Sequence, residues 1–115
     1  HGEDELPLAD ESTPMAEALL IMTQGRFGCV AVRDGDGRLA GMITDGDLRR
    51  HMEGLMTHAA GEVMTRNPRT VAPSALAAEA LRIMNERSIT VLFVVEDARP
   101  VGVLHIHDLL RAGIV

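Results

Sequence analysis

The stretch Gly41-Met42-Ile43-Thr44-Asp45-Gly46-Asp47 holds the residue types that could grip a small polar ligand. A threonine hydroxyl both donates and accepts hydrogen bonds, and an ionised aspartate only accepts, which suits paired hydroxyls such as those of a ribose. Gly41 lets the backbone approach a flat ring closely, and Met42 and Ile43 offer peptide groups and apolar surface. Thr44 and Asp47, three apart at a helix entrance, can face one ligand, and the first amides of that helix point to the same mouth, where a phosphate is favoured. The same two residues are also ordinary helix-start chemistry, with Thr44 as cap and Asp47 in the first turn. On the residues alone both readings stand.

Other clusters carry less. His105 and His107, two apart at a strand end with Asp108 beside them, could bind a transition metal, meet an anion when protonated, or be plain polar surface. Two imidazoles and one carboxylate make metal the weakest of the three. Arg26, Arg49, Arg50, Arg66, Arg69 and Arg111 could converge on an anion, since guanidinium forks match phosphate, although an exposed arginine is normally just solvated. Asp34-Gly35-Asp36-Gly37 fails as a calcium loop, because Arg38 takes the next ligand position and Leu39 stands where the turn glycine belongs. Cys29 lies in an apolar run with no neighbouring His and reads as a buried structural thiol. Glu17 and Glu79 occupy equivalent helix positions and reflect duplication, not an acid–base pair, and the chain shows no nucleophile with a positioned base.

These residues belong to a 115-residue chain, one domain's worth, with 46% apolar and 24% charged residues. Aromatics are 2%, Phe27 and Phe93, so the core is aliphatic. The net charge of −6, with every cation an arginine, argues against binding nucleic acid or an anionic membrane. The single cysteine points to the cytoplasm, no apolar run approaches the roughly 18 residues of a membrane span, and a chain beginning without Met reads as part of a longer protein.

The elements that position the candidate residues occur twice. Ala16-Glu17-Ala18-Leu19-Leu20-Ile21-Met22 is answered 62 positions later by Ala78-Glu79-Ala80-Leu81-Arg82-Ile83-Met84, and Gly41, Ile43, Asp47 and Leu48 are answered at 61 by Gly102, Leu104, Asp108 and Leu109. Met15, Leu19 and Met22 mark one face of a helix entered through Thr13 and Pro14 and ending near Gly25. Strands follow at Cys29 to Arg33 and Leu39 to Thr44 around an Asp-Gly turn, then a helix from Asp45 to Met52. The second copy predicts a helix from about Ala75 to Arg87, strands at Val91 to Glu96 and Val101 to His105, and a last helix from about His107. Asn67-Pro68 marks a turn, with a short strand at Thr70-Val71. The predicted fold is α+β: residues 1–56 and 57–115 as two pseudo-twofold-related motifs, each a small sheet flanked by two helices, with the linker around 53–62. One such unit buries too little surface alone, so the copies share a core and leave two equivalent clefts between them.

With Val63-Met64-Thr65-Arg66-Asn67-Pro68 and Gly41 through Leu48 in view, the chain resembles a tandem pair of cystathionine β-synthase (CBS) domains, a Bateman module. Thr44 to Arg50 and His105 to Gly113 are similar to the C-terminal CBS pair of bacterial arabinose-5-phosphate isomerases. The resemblance implies a non-catalytic regulatory module, following a sugar isomerase domain that acts in the Kdo and lipopolysaccharide precursor pathway. It implies a nucleotide or nucleotide sugar between the copies, an adenine nucleotide or CMP-Kdo, with no required cofactor. Residues and resemblance together give the candidate contact set Gly41, Met42, Ile43, Thr44 and Asp47, then Arg69, Thr70 and Val71, then Gly102, Val103, Leu104, His105, Asp108 and Arg111, with Arg69 and Arg111 chosen for their guanidinium forks. Where most of the family has threonine, the second copy has His105. The alternative is a ligand-free structural module pairing as a homodimer through apolar helix faces around Leu48, Met52, Leu55 and Met56 or Leu109, Leu110 and Ile114.

Overall fold

The structure is a computed structural model that describes residues 6–25 and 27–111, without the Arg111 side chain. Each copy contributes a short parallel strand, a helix, an antiparallel hairpin and a second helix. In the first these are β1 (Leu8–Asp10), α1 (Met15–Gln24), β2 (Cys29–Arg33), β3 (Leu39–Thr44) and α2 (Asp45–Arg50). A single 3₁₀ turn (Leu55–Thr57), α3 (Ala60–Val63) and β4 (Thr65–Arg66) then lead into the second copy. That copy consists of β5 (Thr70–Val71), α4 (Ala77–Arg87), β6 (Val91–Glu96), β7 (Arg99–His105) and α5 (Ile106–Arg111). Among the described residues, no helix is long and apolar enough to cross a membrane.

The two sheets run β1-β2-β3-β4 and β5-β6-β7. Their internal register repeats the sequence: Leu8 pairs with Ala31 in the first sheet, and Thr70 with Phe93 in the second, each shifted by 62. The hairpins match as well, Thr44 against Cys29 and His105 against Val91.

Three apolar clusters hold the molecule. One lies in the first copy around Met15, Met22, Val30, Val32 and Ile43, a second in the later copy around Leu81, Met84 and Leu92. The third is shared: Phe27, Cys29 and Ala31 meet Val91, Phe93 and Val103 across the pseudo-twofold axis. Alternation explains the division, since Val30 and Val32 face their own helix while Cys29 and Ala31 face the other sheet. A backbone bond from Leu39 N–H to the Ala98 carbonyl, 2.7 Å, also joins the copies.

Several boundaries differ from the sequence expectation for local reasons. Pro14 is the cap residue of α1 rather than its first helical position, and the Thr13 hydroxyl turns back to accept from the Asp10 amide. The helix after Asp45 ends at Arg50, not Met52, and α4 begins at Ala77, because Leu76 still has extended backbone. In the first hairpin the positive φ falls at Gly37 (83°), while the Asp34 carboxylate accepts from the amides of Asp36 and Arg38. The second hairpin turns on Asp97 and Ala98, φ 53° and 65°. Leu55, Ala60, Val63 and Met64 all pack into the first copy's cluster, and β4 extends its sheet.

Candidate functional site: a cleft between the copies

At the C-terminal end of β3 the chain passes into α2 through a capping box. The Thr44 amide donates to Asp47 Oδ2 at 2.9 Å and its hydroxyl donates to the same oxygen at 3.1 Å. The other oxygen, Oδ1, accepts from Arg50 and from the Thr65 hydroxyl, which reaches it from β4, 18 residues away in sequence. Asp47 is 2% exposed, the one buried charged side chain among the described residues. Burial would push its carboxyl up, but the four hydrogen bonds outweigh burial and hold it below the usual carboxylate range.

This carboxylate lies on the wall of a cleft of about 610 Å³, within the size of small-molecule sites. The first copy supplies Phe27, Gly28, Cys29, Met42 and the Thr44–Asp47 turn; the second supplies Arg87, Ser88, Ile89, Thr90 and Val91. Thr65, Pro68 and Arg69, on the segment joining them, close the third side. The cleft therefore lies across the pseudo-twofold axis. It offers apolar faces, a carboxylate with a hydroxyl at each side, and two exposed guanidinium groups. Burial pushes the Cys29 thiol up to about 12, which makes it a wall and not a nucleophile.

Of the residues singled out by sequence, Met42, Thr44, Asp47 and Arg69 converge here. Gly41 and Ile43 do not line the cleft: Ile43 is fully buried in the first core, and a Cβ on Gly41 would stand 2.6 Å from the Thr65 carbonyl, so this glycine admits β4. Thr70 and Val71 are held in β5, and Gly102, Val103, Leu104 and His105 in β7, none on this wall. Asp108 lies in the first turn of α5. His105 stacks on His107 with ring centroids 4.9 Å apart, lies 6.5 Å from the Phe27 ring, and accepts the His107 amide at Nδ1. Arg50 is bound to Asp47, and Arg66 lies 3.7 Å from Glu11. Arg26 and the side chain of Arg111 lie outside the described residues. No group of three or more His, Cys, Asp or Glu able to hold a metal occurs among the described residues.

Sequence reasoning missed Phe27, Thr65 and the whole Arg87–Val91 wall. The signal was available: Phe27 and Ile89, and Cys29 and Val91, are related by the same 62-residue offset, so whatever the first copy brings to the axis the second brings too.

The chain belongs to the CBS-domain family, whose pattern matches residues 3–54 and 60–114. It is 44% identical over its full length to the arabinose 5-phosphate isomerase KdsD of Pseudomonas aeruginosa, covering 36% of that protein. The chain thus spans about a third of the length of such relatives. Among solved structures it is similar to CBSX2 in complex with AMP, at 25% identity and a TM-score of 0.83 over 97% of this chain and 90% of that one. It is also similar to the cytosolic domain of the Mg²⁺ channel MgtE in complex with ATP, at 25% identity and a TM-score of 0.81, over 96% of this chain and 46% of that one.

Proposed function

We propose that the chain is the regulatory module of a cytoplasmic arabinose-5-phosphate isomerase, and that an adenine nucleotide seated between the two copies shifts their relative pose and so biases an attached sugar isomerase domain. The observation that carries the reading is the composition of the cleft. Phe27, Met42, Ile89 and Val91 can sandwich a base, Thr44 and Asp47 can meet ribose hydroxyls, and Arg69 and Arg87 stand ready for phosphate. The relatives with bound AMP and ATP support the ligand class, and the KdsD relatives support the parent activity. Regulation requires different affinity for two states of the parent, so binding alone does not suffice.

The test is a thermal-shift titration with AMP, ADP, ATP, S-adenosylmethionine, CMP and CMP-Kdo. An adenine nucleotide is expected to raise the melting temperature, since a ligand at about 100 times its Kd adds about 2.7 kcal/mol. The shift is expected to shrink in Arg69→Ala and Arg87→Ala, whose exposed side chains hold no part of the core. A flat response to every adenine compound overturns the reading; a response to CMP-Kdo alone replaces the ligand class. For the alternative of a pairing module, Leu48, Leu55 and Leu109 face inward, Met52, Met56 and Leu110 are exposed, and Ile114 lies outside the described residues.

A further inference from the structure

An ionised carboxylate has about four lone-pair positions, and at Asp47 four donors already occupy them. A ligand diol therefore reaches this group only by displacing a protein donor. The two donors on Oδ2 both come from Thr44 and form the cap of α2, which the helix needs in either state. The exchangeable positions are on Oδ1. Of its two donors, Thr65 is the one on the cleft wall, and it sits in a strand of two residues, both exposed, paired to the sheet edge at Gly41–Arg66 and Met42–Thr65. Immediately after it come Asn67, with left-handed backbone (φ 55°), and then Pro68 and Arg69 on the cleft wall and β5 within the second sheet.

We infer that Thr65 is a positioning residue that holds Asp47 in the empty cleft and yields it to the ligand's hydroxyls, so that nucleotide entry releases β4 and hands its movement along residues 65–69 to the second copy. The inference rests on the nucleotide reading above and adds to it a specific competitor and the segment that reports occupancy. Without Thr65, a buried carboxylate loses one partner, which destabilises the empty state and leaves a vacancy that a ligand hydroxyl fills. Removing the hydroxyl therefore weakens the empty protein and strengthens its hold on the nucleotide, two effects of opposite sign that a merely structural residue does not produce.

The experiment compares wild type, Thr65→Val and Thr65→Ser by calorimetric titration with AMP, with melting temperatures recorded without nucleotide. Thr65→Val is expected to melt below wild type yet bind AMP roughly three- to tenfold tighter, and Thr65→Ser, which keeps the hydroxyl, to restore both values. If wild type binds AMP and Thr65→Val binds it equally or more weakly, Thr65 is a bystander or a direct ligand contact, and the inference falls while the nucleotide reading stands. If wild type binds none of AMP, ADP and ATP, both fall. Hydrogen exchange on wild type covers the case of a variant that does not fold: AMP is expected to speed exchange across residues 64–69, and slower exchange there overturns the inference.

Discussion

Asp47 is an architectural carboxylate that also stands on the wall of the cleft. Its hydrogen bonds hold the native carboxyl below the ordinary aspartate value near 4, so the unfolded chain binds the proton more readily. The stability this group contributes is full above about pH 4 and is lost as pH falls through the lower native value. Melting temperatures of wild type and Asp47→Asn are expected to differ most near pH 6 and to converge toward pH 3, the wild type falling the more steeply; parallel acid limbs would show that another group dominates. Cys29 gives a simpler test, since a buried thiol with a pKa of about 12 stays protonated at pH 8. An aromatic disulfide reagent is expected to leave it untouched in the native protein and to modify one thiol per chain in guanidinium. The Thr44–Asp47 pair was legible in the sequence because its spacing is local: the structure shows the capping box and places both residues on the cleft wall, while the ligand contact remains the proposal made above. The Thr65 contact was not legible, because it crosses 18 residues and no local spacing rule reaches so far.

Among the elements, the four longer helices and the four long strands were legible because each runs over five residues or more, as the largely apolar stretches Cys29–Arg33 and Val91–Glu96 do. β1, β4 and α3 were not, since two to four residues give no periodicity to read. β1 could still have been found by carrying Thr70-Val71 back 62 positions to Leu8-Ala9. Among the described residues β4 has no counterpart in the second sheet, and it pairs with the sheet edge at Gly41 and Met42. The variant Gly41→Ala places a methyl group 2.6 Å from the Thr65 carbonyl and 2.7 Å from Met64 Sδ. It is expected to lower unfolding free energy by about 1–3 kcal/mol in a urea titration, and to loosen hydrogen exchange at Thr65 and Arg66 before the rest of the sheet. An alanine tolerated without change would mean that β4 sits farther from β3 than described.

For the whole molecule, the shared cluster around Phe27 and Phe93 makes the copies interdependent. Phe93 is fully buried and packs with residues of both halves, so Phe93→Ala is expected to cost about 3–5 kcal/mol. Unfolding should remain one transition, superimposable by circular dichroism and by exposure of Cys29. Two separated transitions would mean that each copy stands on its own core. The joint core also places the fold between a monomer and an oligomer: two like units meet across an axis, and the covalent segment through Asn67 and Pro68 keeps them at an effective concentration in the millimolar range. A backbone nick at that segment breaks no cluster contact, yet it turns an intramolecular equilibrium into a bimolecular one. The nicked protein would then hold together when concentrated and come apart on dilution, and the midpoint of that dilution curve would measure directly the affinity of one half for the other.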